Sequence, residues 1–337
     1  RMVSMILENR WWDSIMSTKV AHIAKDERSH KKQGKLQAFQ KGMKRYWPFY
    51  VMLLPCLIYY IIFKYGPMYG VVIAFKDFNV TEGIVGSPWA DPWYKHYQYF
   101  FNSPYASQVI GNTLIISGLK LFFGLFPSLL LALLINECSK KWFGRVIQTL
   151  SYLPHFLSWV IIYGILIALF SQSAGLINRL IVDAGGKAYP VLTSPEHFRA
   201  VLVGSEIWRD TGWGAIIYLA AIGGIDPNLY EAAIIDGCGR IKRIWYITIP
   251  NLTGVFIMQL ILKVGSILDA GFDQIYILST PQVNSVSEII DTWVFKEGLQ
   301  RMNYSLASAV GLLKSVIGMI MVLSTNKLAR RWDKALW

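Results

Sequence analysis

Apolar runs long enough to cross a bilayer dominate this sequence of 337 residues. A membrane-spanning helix needs about 20 predominantly apolar residues, and a closed barrel would instead show alternating segments of about 10 residues. The sequence therefore predicts an all-α polytopic membrane protein with six transmembrane helices. The predicted spans are Tyr46–Phe63, Thr113–Ile135, Tyr152–Phe170, Val201–Ile222, Leu252–Leu268 and Ser305–Thr325.

The composition agrees with a membrane location. Hydrophobic residues make up 54% of the chain and charged residues only 16%, where a soluble protein averages about 25% charged residues. The net charge of +12 could indicate nucleic-acid binding, but Lys and Arg also collect in the cytoplasmic loops of membrane proteins. The second interpretation is favoured, and no nucleic-acid partner is expected. Cys56, Cys138 and Cys238 do not indicate a disulfide framework.

The distribution of basic residues predicts the orientation. With both termini inside, the cytoplasmic segments hold 21 Lys and Arg residues and the outer loops hold 7. This bias predicts an N-in, C-in topology. The predicted regions are a cytoplasmic N-terminal extension (1–45), a transmembrane domain (46–325) with a cytoplasmic loop at 223–250, and a cytoplasmic C-terminal tail (326–337).

Two segments outside the spans carry apolar side chains. In the N-terminal extension, Met2–Ile6 and Trp11–Trp12 predict a short amphipathic helix on the membrane surface. The outer loop 66–111 is rich in aromatic residues, as expected for a belt at the membrane interface. The same loop could instead form a docking surface or a lid over an outer cavity.

Motifs for catalysis and for metal binding are missing from the sequence. It contains no G-x-x-x-x-G-K-[ST] phosphate loop, no H-E-x-x-H and no C-x-x-C spacing. His155 is expected to pack or to form hydrogen bonds rather than to catalyse. The chain is therefore predicted to be no enzyme, with no catalytic residue, no metal site and no cofactor of its own.

The segment Pro227–Pro250 is polar, basic and punctuated by glycine between two apolar runs. Asp226 can cap a helix with Pro227 at its first position, or Asn228 and Glu231 can form a capping box. Either arrangement predicts a short helix that ends near Asp236.

The second half of this segment predicts a turn and another helix. Gly237 and Gly239 are expected to end the first helix, since glycine accepts the left-handed conformation. A second helix is predicted over Arg240–Ile247, and Pro250 is expected to break the chain before the next span. By itself this pattern fits either an ordinary surface loop or a helix–turn–helix that binds a partner protein.

The spacing within this segment resembles the E-A-A-x3-G-x9-I-x-L-P signature of permease subunits of binding-protein-dependent ABC importers, with Ile249 where Leu is usual. The resemblance implies a type I ABC importer permease fold in which the segment is the coupling helix, seated in a cleft of the ATPase. It implies a polar contact from Glu231, close packing at Ala232 and Ala233, and a turn at Gly237. The implied coupling residues are Glu231, Ala232, Ala233, Gly237, Arg240, Ile247 and Pro250.

The resemblance extends beyond this loop. Pro67–Phe78, Gly86–Trp89 and Asn112–Thr113 are similar to the polysaccharide branch of carbohydrate importers, and within it to permeases of bacterial alginate importers. This implies ATP-driven import of an oligo- or polysaccharide, of anionic, alginate-like type, across the bacterial inner membrane. The implied partners are a second, related permease in a heterodimer, two ABC ATPase subunits that bind ATP and Mg, an extracytoplasmic solute-binding protein and membrane lipid.

Four predicted spans carry a cation, which is costly in a membrane and usually faces a cavity or a partner charge. The cations are expected in the outer half of the membrane, where they could line a cavity that attracts acidic sugars. Alternatively, Arg209 pairs with Glu206 on its own helix, and the lysines contact another subunit or extend toward the headgroups. The candidate substrate-path residues are Lys120, Trp159, Tyr163, Trp208, Arg209, Asp210, Trp213, Lys263 and Lys314, with Tyr218 as a further aromatic.

Two other classes of protein remain as alternatives. An ion-coupled secondary sugar transporter should show two related halves with helices interrupted by Gly or Pro, and no such pair is seen. A membrane-embedded enzyme would need a carboxylate pair or a metal cluster at the membrane face.

Overall fold

The computed structural model describes residue 42 and residues 45–330. The predicted surface helix near Met2–Trp12 and the end of the C-terminal tail lie outside these residues. The described residues divide into two units, with the boundary between Gly70 and Val71. All regular elements of the described residues are helical, apart from one isolated bridge between Lys76 and Trp89.

The first long helix, α1, covers Arg45–Phe75 and is longer than the predicted span Tyr46–Phe63. It widens into a π-turn at Ile61–Tyr65 and tightens into a 3-10 helix from Tyr69 onward. Pro67 follows the π-turn, and the Gly66 N–H donates to the Ile61 carbonyl. The wider turn accommodates the proline, which has no N–H and would clash with the carbonyl four residues earlier.

Seven further helices form the body of the second unit. The principal helices are α2 (Ala106–Asn136), α3 (Lys141–Tyr152), α4 (Trp159–Phe170), α5 (Pro195–Gly223), α6 (Pro227–Ile235), α7 (Arg240–Gly265) and α8 (Tyr304–Arg330). Shorter helices cover Gly83–Gly86, Lys95–Asn102, Leu176–Asp183, Phe272–Leu278, Asn284–Ser287 and Ile290–Phe295.

The third predicted span, Tyr152–Phe170, is wrong as a single straight helix. The chain passes from α3 through a 3-10 turn at Leu153–Phe156, which contains Pro154, and then bends by 106° into α4. The Ser158 side chain caps the new helix by accepting the Ile161 N–H at 3.4 Å. Proline ends the first helix and the serine cap starts the second, so the apolar run contains a sharp corner.

By length and composition, four described helices could cross a membrane: α1, α2, α7 and α8. The number rises to five if α3 and α4 form one broken span. Helix α5 is also long enough, at 29 residues, but it carries Glu206, Arg209 and Asp210 near its middle. Helix α8 continues to Arg330, so the first residues of the predicted tail are helical.

Pro250 does not break the chain, contrary to the sequence prediction. Helix α7 runs without interruption from Arg240 to Gly265, with a π-turn at Ile244–Thr248 just before the proline. The Ile249 N–H donates to the Ile244 carbonyl, and the Asn251 side chain donates to the Ile247 carbonyl at 2.8 Å. The widened turn again admits the proline ring.

Helices α2 and α5 pack along much of their length and form the centre of the second unit. Three clusters of buried apolar side chains include residues of α2, and two of them also include residues of α5. One of them joins Ala132, Ala215 and Leu252 to Tyr218, which is only 1% exposed. Tyr218 therefore belongs to the core, and the expectation that its ring could face a sugar is wrong.

The chain between α7 and α8 folds back onto α2 and α5. The Asn112 amide donates to the Ser285 and Glu288 carbonyls, at 3.0 and 3.1 Å. The Ile290 N–H donates to the Thr113 hydroxyl at 2.9 Å. These bonds hold the short helices of residues 272–295, which we call the re-entrant segment, against the ends of the long helices.

The loop after α1 is organised around Lys76, which is 6% exposed. Its ammonium donates to the carbonyls of Ile84, Val85 and Ser87 at 2.8–3.1 Å and lies 5.0 Å from the ring centre of Trp89. The Ser305 hydroxyl of α8 donates to the Lys76 carbonyl at 2.6 Å. The loop is therefore a folded structure anchored to α8.

Candidate functional site

The first candidate site is a polar cluster where α2, α5, α7, α8 and the re-entrant segment meet. Lys120 of α2 is 7% exposed and forms an ion pair of 2.6 Å with Glu206 of α5. Its ammonium also donates to the Ala270 carbonyl at 2.7 Å and to the Gln274 side chain. An ammonium has three donors, so all of the hydrogen-bonding capacity of Lys120 is used within the chain.

Lys314 of α8 is bonded in a similar way. Its ammonium lies 2.6 Å from the Asp269 carboxylate and 2.7 Å from both oxygens of Asp291. These contacts tie α8 to the end of α7 and to the re-entrant segment. The expectation that these lysines pack against another subunit or extend outward is therefore wrong for Lys120 and Lys314.

The expected pair of Arg209 with Glu206 is also wrong. The Arg209 guanidinium lies 4.7 Å from the ring centre of Trp159 and 3.8 Å from the Asp210 carboxylate. Glu206 instead faces Lys120 on the neighbouring helix. The Arg209 guanidinium thus stacks on the face of the Trp159 ring. The Glu206 carboxylate, one turn earlier on α5, is instead paired with a residue of α2.

Asp210 connects this arginine to a stacked ring pair. The Asp210 carboxylate lies 2.8 Å from Nδ1 of His155, whose ring is parallel to that of Trp213 at 4.5 Å. This agrees with the expected packing and hydrogen-bonding role of His155. The contacts hold the 3-10 turn between α3 and α4 against the middle of α5.

A cavity of about 310 Å³ opens beside these ion pairs. Its walls include Lys120 and Glu206, together with Lys263 in the last turn of α7 and Asp269 in the short 3-10 turn that follows it. Among the residues that the structure describes, the Lys263 ammonium has no hydrogen-bond or ion-pair partner. A Cβ built on Gly124 of α2 would lie 3.2 Å from Lys263 Nζ, so the missing side chain leaves room for the lysine.

The remaining candidate aromatics lie elsewhere. Tyr163 lines a second cavity of about 390 Å³ that also includes Thr280 and Gln172. Trp208 lines an apolar groove between α4 and α5. Of the nine substrate-path candidates, the structure therefore brings Lys120, Lys263, Lys314, Trp159, Arg209, Asp210 and Trp213 into one contiguous region.

Two important members of the cluster were missed by sequence reasoning. Gln274 is fully buried and donates to the Leu202 carbonyl at 2.8 Å while its oxygen accepts from Lys120. Asp291 contacts Lys314 through both carboxylate oxygens. Both lie in the weakly apolar stretch between predicted spans, where no pattern in the sequence distinguishes a buried polar side chain from one in an ordinary loop.

The second candidate site is the Pro227–Pro250 segment. Asp226 caps α6 by accepting the Asn228 N–H at 3.0 Å, which selects the first of the two predicted caps. The helix ends at Ile235, Gly237 follows with φ of 75°, and the Cys238 N–H donates to the Ala233 carbonyl at 2.8 Å. Gly239 has φ of −68° and begins the next helix, so the prediction that it helps to end α6 is wrong.

This segment presents its side chains to the exterior. Glu231, Ala232 and Arg240 are exposed and Ala233 is half-buried. Ile247 is half-buried, and Pro250 is exposed at the start of the regular part of α7. The neighbouring exposed apolar side chains are Leu229, Ile234, Ile235, Ile241, Trp245 and Tyr246. An exposed apolar patch with a polar rim is typical of a protein interaction surface.

Comparison with known proteins adds information about the family. Residues 124–335 match a protein family described as the inner membrane component of binding-protein-dependent transport systems. Protein LplB of Bacillus subtilis (strain 168) is 40% identical over 301 residues, which cover 89% of this chain and 94% of LplB. The polygalacturonan/rhamnogalacturonan transport system permease protein YteP of the same organism is 43% identical over 285 residues, covering 85% of this chain and 88% of YteP.

Solved structures show a similar fold. A chain in the crystal structure of a bacterial alginate ABC transporter, in complex with an alginate pentasaccharide-bound periplasmic protein, superposes with a TM-score of 0.80. It is 37% identical in sequence, and the match covers 88% of this chain and 98% of that chain. A chain of a bacterial ABC transporter involved in the import of the acidic polysaccharide alginate gives the same TM-score at 38% identity, covering 87% of this chain and 98% of that one.

Proposed function

Because the chain belongs to the family of inner membrane components of binding-protein-dependent transport systems, we propose that it is a permease subunit of an ATP-driven saccharide importer. Its all-helical fold is that of type I ABC importer permeases. The observation that carries the proposal is the likeness over most of the chain to a polygalacturonan/rhamnogalacturonan permease and to an alginate transporter chain. The chain itself performs no catalysis in this proposal.

In the proposed topology six segments cross the membrane and both termini are cytoplasmic. Helix α5 counts as a span because its three central charges are bonded within the polar cluster rather than facing lipid. The bent pair α3 and α4 together provides the third span. The excess of basic residues in the segments assigned to the cytoplasm supports this orientation. We also propose the domain limits that the sequence predicts, with the transmembrane domain at 46–325.

The Pro227–Pro250 segment is proposed to couple the permease to an ATPase. The segment is exposed, it contains a capped helix, and it carries the charged residues Glu231 and Arg240. These features are suited to binding in a cleft of another protein. ATP and Mg would be bound by two separate ATPase subunits. ATP binding would close these subunits, move the coupling segments and open the cavity outward.

The substrate is proposed to be an acidic oligo- or polysaccharide. The related transporter that imports alginate handles an acidic polysaccharide, and the cavity of this chain is lined by Lys263, whose ammonium has no partner among the described residues. A second permease would complete the pathway, and an extracytoplasmic binding protein would deliver the sugar, as a periplasmic protein accompanies the alginate transporter.

The test is reconstitution of the chain in liposomes with its membrane partners, its ATPase subunits and a saccharide-loaded binding protein. We expect the loaded binding protein to stimulate ATP hydrolysis and saccharide uptake together. Uptake that continues without any ATP-binding subunit and follows an ion gradient would contradict the proposal and support a secondary transporter.

A further inference from the structure

We infer that Lys263 is the residue of this chain that contacts the acidic groups of the passing saccharide, whereas Lys120 and Lys314 hold the cavity walls in place. The inference rests on the proposed function and divides its three candidate lysines into two classes. It concerns a specificity-determining residue, and it follows from how many hydrogen bonds each cation already makes.

Two of the three lysines have no free donor. Lys120 is bonded to Glu206, Ala270 and Gln274, and Lys314 makes three contacts with two carboxylates. An ammonium has three N–H groups, so a sugar carboxylate could bind either lysine only by displacing a protein partner. Displacement would leave Glu206 or Asp291 unpaired in a partly buried position, which is unfavourable.

Lys263 differs from them in its surroundings. It lies in the last turn of α7, where the helix dipole favours a cation, and its side chain lines the cavity. No described residue accepts a hydrogen bond from its ammonium. The two carboxylates in the same cavity wall, Glu206 and Asp269, are each bonded to a different lysine.

Gly124 of the neighbouring helix α2 lies directly against this side chain. A Cβ at position 124 would lie 3.2 Å from the Lys263 ammonium, so a larger residue there would require the lysine to shift by a few tenths of an ångström. Ionisable residues within membrane proteins usually face a cavity and have a partner, and they mark substrate or ion pathways. An oligosaccharide carboxylate would supply the missing acceptor as a charge-assisted hydrogen bond.

The experiment measures KM and kcat for uptake of a tetragalacturonate by the complete reconstituted complex. For Lys263→Met we expect KM to rise about tenfold or more with a smaller change in kcat, as expected for the loss of one hydrogen bond to a charged group. Lys263→Arg should restore KM to within roughly threefold of the wild-type value, because it keeps the charge.

Two control variants separate this role from general effects. Lys187→Met removes an exposed cation from the loop before α5 and should leave KM unchanged. That result would exclude a general electrostatic attraction between the complex and the acidic saccharide as the cause of the effect at Lys263. Lys120→Met should lower the melting temperature of the purified complex. An unchanged KM for Lys263→Met, or a melting temperature lowered as much as by Lys120→Met, would overturn the inference.

Measurements on the wild-type complex distinguish a failure of the inference about Lys263 from a failure of the proposed function. If it imports tetragalacturonate and Lys263→Met does so equally well, the inference about Lys263 fails and the proposed function stands. If the wild-type complex hydrolyses ATP with a loaded binding protein but imports only neutral saccharides, the acidic substrate and the role of Lys263 both fail.

Discussion

Lys120 of α2 and Glu206 of α5 form an ion pair of 2.6 Å at the contact between the two central helices of the second unit. The lysine also reaches the Ala270 carbonyl, so one side chain connects three elements. Because apolar surface cannot distinguish one helix partner from another within lipid, such polar contacts are well suited to fix which helices meet.

Replacing Lys120 with Met should destabilise the permease by about 3 kcal/mol, since removal of one partner leaves a partly buried charge uncompensated. The melting temperature of the purified complex measures this effect. In the double variant Lys120→Met with Glu206→Gln, part of the loss should be recovered because the unpaired carboxylate is gone. Fully additive losses would show that the two residues do not act as a pair.

Gly212 of α5 allows the helix to lie against α3. A Cβ at this position would collide with the Ser151 carbonyl oxygen, which is backbone and cannot move aside easily. Gly212→Ala should therefore cost roughly 2–3 kcal/mol of stability and reduce the yield of folded complex. Gly204→Ala in the same helix meets nothing within 4 Å and should be neutral or slightly stabilising, since alanine favours a helix. Equal effects of the two substitutions would contradict this account of the contact.

Gly237 ends α6 with φ of 75°, a conformation that costs an L-residue about 1 kcal/mol. Gly237→Ala should therefore shift the turn and weaken the stimulation of ATP hydrolysis by a loaded binding protein. Gly239→Ala is the matched control, because Gly239 has a negative φ and no atom within 4 Å of the added Cβ. If both variants reduce the stimulation to the same degree, the left-handed turn is not the reason.

Lys76 is expected to determine whether the loop between α1 and α2 stays folded. Lys76→Met removes the donor for three carbonyl groups, and hydrogen exchange of residues 77–89 should increase markedly. Lys95→Met removes only an exposed ion pair with Asp77 at 2.9 Å, worth about 0.5 kcal/mol, and should leave exchange nearly unchanged. Equal exchange in the two variants would mean that Trp89 and the backbone hold the loop without the lysine.

The sequence was sufficient for the features that depend on local pattern. Asp226, one of the two predicted caps, caps α6, and Gly237 adopts the left-handed conformation. The apolar runs also located the long helices, although α2 and α5 begin several residues earlier than expected. These features follow from residues close together in the chain, which is why a single sequence reveals them.

Features that depend on packing between distant residues were not predictable. Arg209 and Glu206 are three positions apart on one helix face, which suggested a pair, but the neighbouring helix supplies Lys120 as a closer partner. Likewise, an apolar run does not show whether it stays straight, and the corner after Pro154 depends on how α3 and α4 pack. The folding of the re-entrant segment onto Asn112 is a third case, since its bonds join residues more than 170 positions apart.

The π-turn before Pro250 has a mechanical consequence. Because it accommodates Pro250, which has no N–H to donate, without ending α7, the helix is one rod of 26 residues, about 39 Å long at 1.5 Å per residue. Its first residue, Arg240, lies in the exposed segment, and Lys263 lies in its last turn beside the cavity. A tilt or a rotation imposed at one end would therefore reposition the lysine at the other without passing through a flexible joint.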